Sequence, residues 1–255
     1  MNYQYIQITK AGSICKMTIN RPPVNVMSIE TLQEMNNALE AIKKDSEVKV
    51  LLITGAGTKA FSAGVEIRDH IGDRAPIMIE VFDRLFKIML DLDKPIIAVV
   101  NGIALGGGCE VAAACDMVIA SEKAQFGQPE IKLAVIPPVG AVFFSRIFGL
   151  RKGMEFILSG DNIDAREAER LGLVNKVVPD AELEKASMDF AMRFAEKSGV
   201  ALRLARQCIY NTIDLKLKDA LDVAAELGGI SMASEDGVEG LSAYLEKRKP
   251  VWKNK

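Results

Sequence analysis

The chain has 255 residues, 49% of them hydrophobic, with 32 Lys and Arg against 34 Asp and Glu and a formal net charge of −2. That length suits one large domain, or one domain with a helical appendage. The balanced charge gives no global field for nucleic acid or an anionic membrane, so a small ligand is expected. Cys15, Cys109, Cys115 and Cys208 are scattered, with no Cys-x-x-Cys pair and only His70 to join them. This argues against a metal site or a disulfide framework.

The N-terminus alternates like a strand and lacks the basic-then-apolar pattern of a signal peptide. No apolar run approaches the roughly 20 residues that span a bilayer, and a reducing cytoplasm is the expected home. Two short strands around Ala11-Gly12 predict a hairpin, stopped by Asn20-Arg21-Pro22-Pro23. Ser28 precedes Leu32, Met35, Leu39 and Ile42, one face of an amphipathic helix. Residues 48–54 read as a buried strand ending in Gly55-Ala56-Gly57, and residues 61–66 as a loop. Met78, Val81, Phe82, Leu85, Met89 and Leu92 mark a second helix. Residues 95–100 form a strand that runs into Asn101-Gly102, three glycines and an apolar helix-like run over 109–115. A further strand covers 117–120. Strands alternating with helices predict an α/β fold with a parallel core and functional loops at strand ends.

Beyond about residue 140 helices dominate, broken by Gly149, Gly160, Gly172 and Gly199, with one short strand over 173–178. Asp164-Ala165-Arg166-Glu167 predicts a capped helix start. The division expected is a core over 1–199 carrying the site and a helical region over 200–255. The apolar faces of that region, including Leu202, Leu204, Ile209, Leu221 and Leu227, predict a homo-oligomer, a trimer or a dimer of trimers.

Glu110 closes the segment Leu105-Gly106-Gly107-Gly108-Cys109-Glu110, and Glu130 closes Phe126-Gly127-Gln128-Pro129-Glu130. An acid at a helix start is favoured by the dipole at about 0.3–1 kcal/mol for structural reasons alone, and a glutamate after proline can be an ordinary loop acid. Their joint setting in apolar, glycine-rich sequence favours function, because a carboxylate is costly to hold there without a task. Two carboxylates facing one substrate can divide acid and base duties. The triple glycine either permits close packing or presents bare N–H groups to developing negative charge; it fits neither a phosphate loop nor Gly-x-Gly-x-x-Gly. Cys109 reads as a small buried hydrophobe, and His70 as a loop residue at the edge of a pocket.

These motifs resemble the enoyl-CoA hydratase/isomerase, or crotonase, family. Residues 59–66 (Lys59-Ala60-Phe61-Ser62-Ala63-Gly64-Val65-Glu66) and 101–110 are similar to its two oxyanion segments, and the likeness continues through 120–130, 170–175 and 242–249. The resemblance implies a crotonase-type spiral of repeated ββα units with a C-terminal helical trimerisation region. It implies an acyl-CoA substrate and no cofactor apart from the coenzyme A of that substrate. Glu110 and Glu130 would be catalytic, the N–H groups of Ala63 and Gly107 would form the oxyanion hole, and Ser62, Gly64, Val65, Gly106 and Pro138 would line the substrate site. Lys247, in the basic end over 247–249, is either a solvated tail residue or a contact for coenzyme A.

Where many family hydratases read Ile-Pro-Gly, this chain reads Ile136-Pro137-Pro138-Val139-Gly140. Pro138 has no N–H to offer a catalytic water. This form is similar to the branch that hydrates cyclohexa-1,5-diene-1-carbonyl-CoA in anaerobic aromatic degradation. A general short-chain enoyl-CoA hydratase of fatty-acid β-oxidation is the alternative. A non-catalytic acyl-CoA- or RNA-binding homologue is the alternative of another class, opposed by the balanced charge and the retained carboxylates.

Overall fold

A computed structural model describes residues 3–255. The hairpin forms as β1 (Ile6–Ala11) and β2 (Ile14–Ile19), antiparallel with Ile6 opposite Ile19. Ser28 caps α1 (Ile29–Lys44), accepting from Thr31 N, and buries the predicted Leu32, Met35, Leu39 and Ile42. The chain then runs β3 (Val50–Gly55), β4 (Ala60–Ser62), α2 (Arg74–Leu90), β5 (Ile96–Val100), β6 (Ile103–Leu105), α3 (Gly107–Ala114), β7 (Met117–Ser121) and β8 (Gln125–Gly127). A 3-10 turn over Pro129–Leu133 leads to α4 (Pro138–Ile147) and α5 (Leu150–Ser159). Next come β9 (Ile163–Asp164), α6 (Ala165–Arg170), β10 (Lys176–Val178), α7 (Leu183–Ala195), α8 (Gly199–Thr212), α9 (Leu217–Ala233) and α10 (Glu235–Leu245).

Strands fall into two sheets. The larger has the order β1-β2-β3-β5-β7-β10, the smaller β4-β6-β8-β9. Successive strand pairs split between them: β3, β5 and β7 lie side by side and parallel in the larger sheet, and β4, β6 and β8 do the same in the smaller. Each turn of the chain is thus strand, strand, helix, repeated with a constant sideways step, which is the spiral of ββα units. The larger sheet is covered on both faces, so every residue of β5 is buried and apolar.

The loop expected over residues 61–66 is corrected in part, because Phe61 and Ser62 belong to β4. A strand of three residues gives no alternation to read, and the same brevity hid β6, β8 and β9. The capped start at Asp164 is present, its carboxylate accepting from Glu167 N at 2.8 Å. Residues 200–247 are helical apart from short joints. No helix among the described residues is long and apolar enough to cross a membrane.

Helix α8 is tied to the core through Arg206. Its Nε meets both oxygens of Asp116 at 3.1 and 2.9 Å, and its terminal nitrogens donate to the carbonyls of Leu90, Leu92 and Met89 at 2.7, 2.6 and 2.8 Å. Arg206 therefore caps the C-terminal end of α2, where unpaired carbonyls attract a cation. Asp116 also accepts from Tyr210 Oη and Ile96 N, both at 2.7 Å.

Candidate active site

The site is built where β4 and β6 leave the smaller sheet. After β6, Gly106 takes φ +51, a left-handed conformation that turns the chain into α3. A Cβ on Gly106 would stand 2.8 Å from Glu130 Oε1, and one on Gly108 would stand 2.3 Å from the Ser62 carbonyl oxygen. The glycines therefore answer a need for space: side chains there would strike the second glutamate and the first oxyanion segment. Gly64, at φ +106, brings its own backbone close to the same turn, with Gly107 N only 3.5 Å from the place of a Cβ.

Glu110 lies in the first turn of α3 and is 2% exposed. Its Oε1 accepts from Gly140 N at 2.6 Å. Burial pushes its carboxyl up from 4.5 to about 8, against the lowering effect of that hydrogen bond and with a further push from Glu130. Glu130 is half-buried on the 3-10 turn, and burial raises its carboxyl as well. The fold thus gathers the two glutamates, 20 residues apart in sequence, around the glycine turn. A pair of this kind can share one proton near neutral pH.

Pro138 opens α4, so its missing N–H falls where a helix leaves N–H groups without internal acceptors. The N–H that holds Glu110 comes two residues later, from Gly140.

The oxyanion assignment needs one correction. Ala63 N donates to the Val24 carbonyl at 2.8 Å, so that N–H is already taken. Val65 is differently placed. Met27 N donates to Gly64 O and Glu66 N donates to Met27 O, both at 2.9 Å, a parallel bridge between Met27 and Val65. Backbone groups alternate sides along an extended strand. The Val65 N–H therefore faces away from Met27, and no acceptor among the described residues meets it. Its side chain abuts Gly107, with Cγ2 2.8 Å from the place of a Cβ. The Gly107 N–H is likewise free at the N-terminal end of α3, whose first internal bond runs from Glu110 N to Gly106 O. Two free N–H groups, of Val65 and Gly107, border the glutamates.

Ser62, fully buried, serves the turn: its Oγ donates to the Asn25 carbonyl at 2.8 Å and accepts from Gly64 N at 3.2 Å. Lys247 is exposed just beyond α10 and makes no ion pair among the described residues. Cys109 is buried, and burial pushes its thiol far up, away from a nucleophile's range. His70 is exposed, its Nδ1 3.0 Å from the Glu66 carbonyl.

Sequence reasoning passed over Gln128. It is fully buried, and with its amide nitrogen turned to the carboxylate, an orientation assigned from its neighbours, it donates to Glu130 Oε1 at 3.1 Å and Oε2 at 3.0 Å. The available signal was a polar side chain two places before Glu130, in the segment Phe126-Gly127-Gln128-Pro129-Glu130 itself.

Residues 9–255 match the family described as Enoyl-CoA hydratase/isomerase. The chain belongs to that family. It is 38% identical to the short-chain-enoyl-CoA hydratase of Clostridium acetobutylicum, covering 98% of this chain and 97% of that one. It is 36% identical to the crotonyl-CoA hydratase of Syntrophomonas wolfei, covering 98% of each. The crystal structure of an enoyl-CoA hydratase from Bacillus anthracis superposes with a TM-score of 0.95 at 34% identity, covering 99% of this chain and 100% of that one. The fold expected from the resemblance, a crotonase spiral, is the fold observed.

Proposed function

We propose that this chain adds water across the α,β double bond of a short linear acyl-CoA thioester, with Glu110 and Glu130 as catalytic groups and the N–H groups of Val65 and Gly107 as the oxyanion hole. The observation that carries the reading is the convergence of two carboxyls, both raised by burial, beside two backbone donors with no acceptor of their own. The thioester oxygen accepts from the two N–H groups, and the enolate that develops there is stabilised without reorganisation. The oxygen of water bonds to the β carbon as one carboxylate takes its proton. The π electron pair moves to the enolate, and the other carboxyl delivers a proton to the α carbon. The proton inventory of the pair is restored when the two exchange it. This is hydro-lyase chemistry, and it needs no group beyond the substrate's own coenzyme A.

The linear substrate is favoured because the relatives described above are named for short-chain and crotonyl substrates. Loss of enoyl absorbance, followed side by side for crotonyl-CoA and cyclohexa-1,5-diene-1-carbonyl-CoA, tests the choice. We expect a kcat/KM at least about tenfold higher for crotonyl-CoA, about 1.4 kcal/mol in transition-state binding. A preference for the cyclic thioester would restore the other reading.

The helical region over 200–255 is proposed to join copies of the chain. No residue of α9 is buried, and Leu217 and Leu221 are 78% and 61% exposed, an apolar face of the kind that oligomers cover.

A further inference from the structure

Phe82, on α2, presses against the oxyanion turn, its Cζ 3.0 Å from the place of a Cβ on Gly107. It meets Phe86 edge-on, with ring centroids 4.8 Å apart. Phe86 in turn reaches Phe143 of α4 at 6.5 Å. The three rings thus bridge from the turn that carries the Gly107 N–H to the helix whose Gly140 N–H holds Glu110. Phe82 and Phe86 are buried at 7% and 5% exposure, whereas Phe143 is only half-buried. Val139 precedes Phe143 by four residues on the same face of α4, one residue from Gly140, and is half-buried too.

Consider an acyl chain whose thioester oxygen is fixed at Val65 and Gly107 and whose α and β carbons lie between Glu110 and Glu130. Taken along α4, beside the Gly140 N–H that holds Glu110, its remaining carbons meet Val139 and Phe143, both only partly covered against the core, and behind Phe143 stand two buried rings in mutual contact. Aromatic side chains locked in such a stack cannot swing aside without losing those ring contacts.

We propose that Phe143, backed by Phe86 and Phe82, is the wall that ends the acyl pocket and restricts the enzyme to short acyl chains. This rests on the hydration reading above and adds to it a determinant of substrate length. Each further methylene forced against a closed apolar wall weakens transition-state binding, and truncating the wall returns that binding.

The test is the ratio of kcat/KM for trans-2-decenoyl-CoA to that for crotonyl-CoA, in the wild type, Phe143→Leu, Phe143→Ala and Phe148→Ala. Phe148 belongs to a separate ring cluster with Phe144 and Phe156 between α4 and α5. The wild type should favour crotonyl-CoA, Phe143→Ala should raise the ratio at least tenfold, Phe143→Leu should raise it less, and Phe148→Ala should leave it unchanged. A wild type that hydrates both thioesters equally well overturns the wall, whatever the folding of the variants. So does an unchanged ratio in folded Phe143→Leu or Phe143→Ala, or an equal rise in Phe148→Ala. Absence of hydration of either thioester by the wild type would instead strike at the hydratase reading itself.

Discussion

Glu110 and Asp116 stand six residues apart at opposite ends of α3, both carboxylates in apolar surroundings, and they meet opposite fates. Asp116 is saturated: Arg206 grips both oxygens, and Tyr210 and the Ile96 N–H complete the set. Glu110 has the Gly140 N–H and a second backbone contact at Val139, no cation among the described residues, and another carboxyl nearby. A buried charge is tolerable when paired and costly when it is not. One region of the molecule is therefore a fastening, and the other holds a carboxyl whose charged form is disfavoured by its burial.

The largest stability effect should come from breaking the fastening. Arg206→Met leaves Asp116 without its cation and three carbonyls at the end of α2 without a cap, and should cost about 3–5 kcal/mol in denaturant unfolding. The kcat of the fraction that remains folded should stay near that of the wild type. A loss within about 0.5 kcal/mol would mean that the network is ornamental.

The site should behave in the opposite sense. Glu110 binds a proton up to about pH 8 when folded but only to about 4.5 otherwise. Between those values the folded state holds more protons than the unfolded one, so this group makes stability fall as pH rises through the window, and its full cost is reached above about 8. Glu110→Gln removes the ionisation while keeping the shape. At pH 8 the variant should be more stable than the wild type by on the order of a few kcal/mol, and at pH 4 the two should be alike. Equal stability at both values would show that Glu110 is not under strain.

A third carboxylate, Asp164, sharpens the comparison from the surface. It makes one clear bond, to Glu167 N at 2.8 Å, as the cap of α6. Asp164→Ala should cost about 1 kcal/mol in thermal or denaturant unfolding, well below the cost at Arg206, because water can replace the lost partner. A loss as large as that of Arg206→Met would mean that bonding rather than burial sets the scale.

Part of the fold and part of the site were legible in the sequence, for different reasons. Helical faces such as Leu32, Met35, Leu39 and Ile42 announce themselves by spacing, and the buried β5 by its unbroken apolar run. The smaller sheet stayed hidden because strands of two or three residues carry no period, and that sheet is what delivers β4 and β6 to the site. Glu110 and Glu130 stood out because carboxylates are rare beside glycine-rich apolar sequence. The choice between the Ala63 and Val65 N–H groups could not be read, since it depends on which side of an extended strand faces Met27 and Val24. Arg206 was invisible for the same kind of reason: its partners at residues 89–92 and 116 are about 90 or more positions away.

The central claim, that two glutamates perform the hydration, is tested most directly by steady-state hydration of crotonyl-CoA in Glu110→Gln and Glu130→Gln. The account predicts that each substitution lowers kcat by about 10²-fold or more, with the fold intact by circular dichroism and the affinity for coenzyme A unchanged. Near-normal turnover in either folded variant would contradict it.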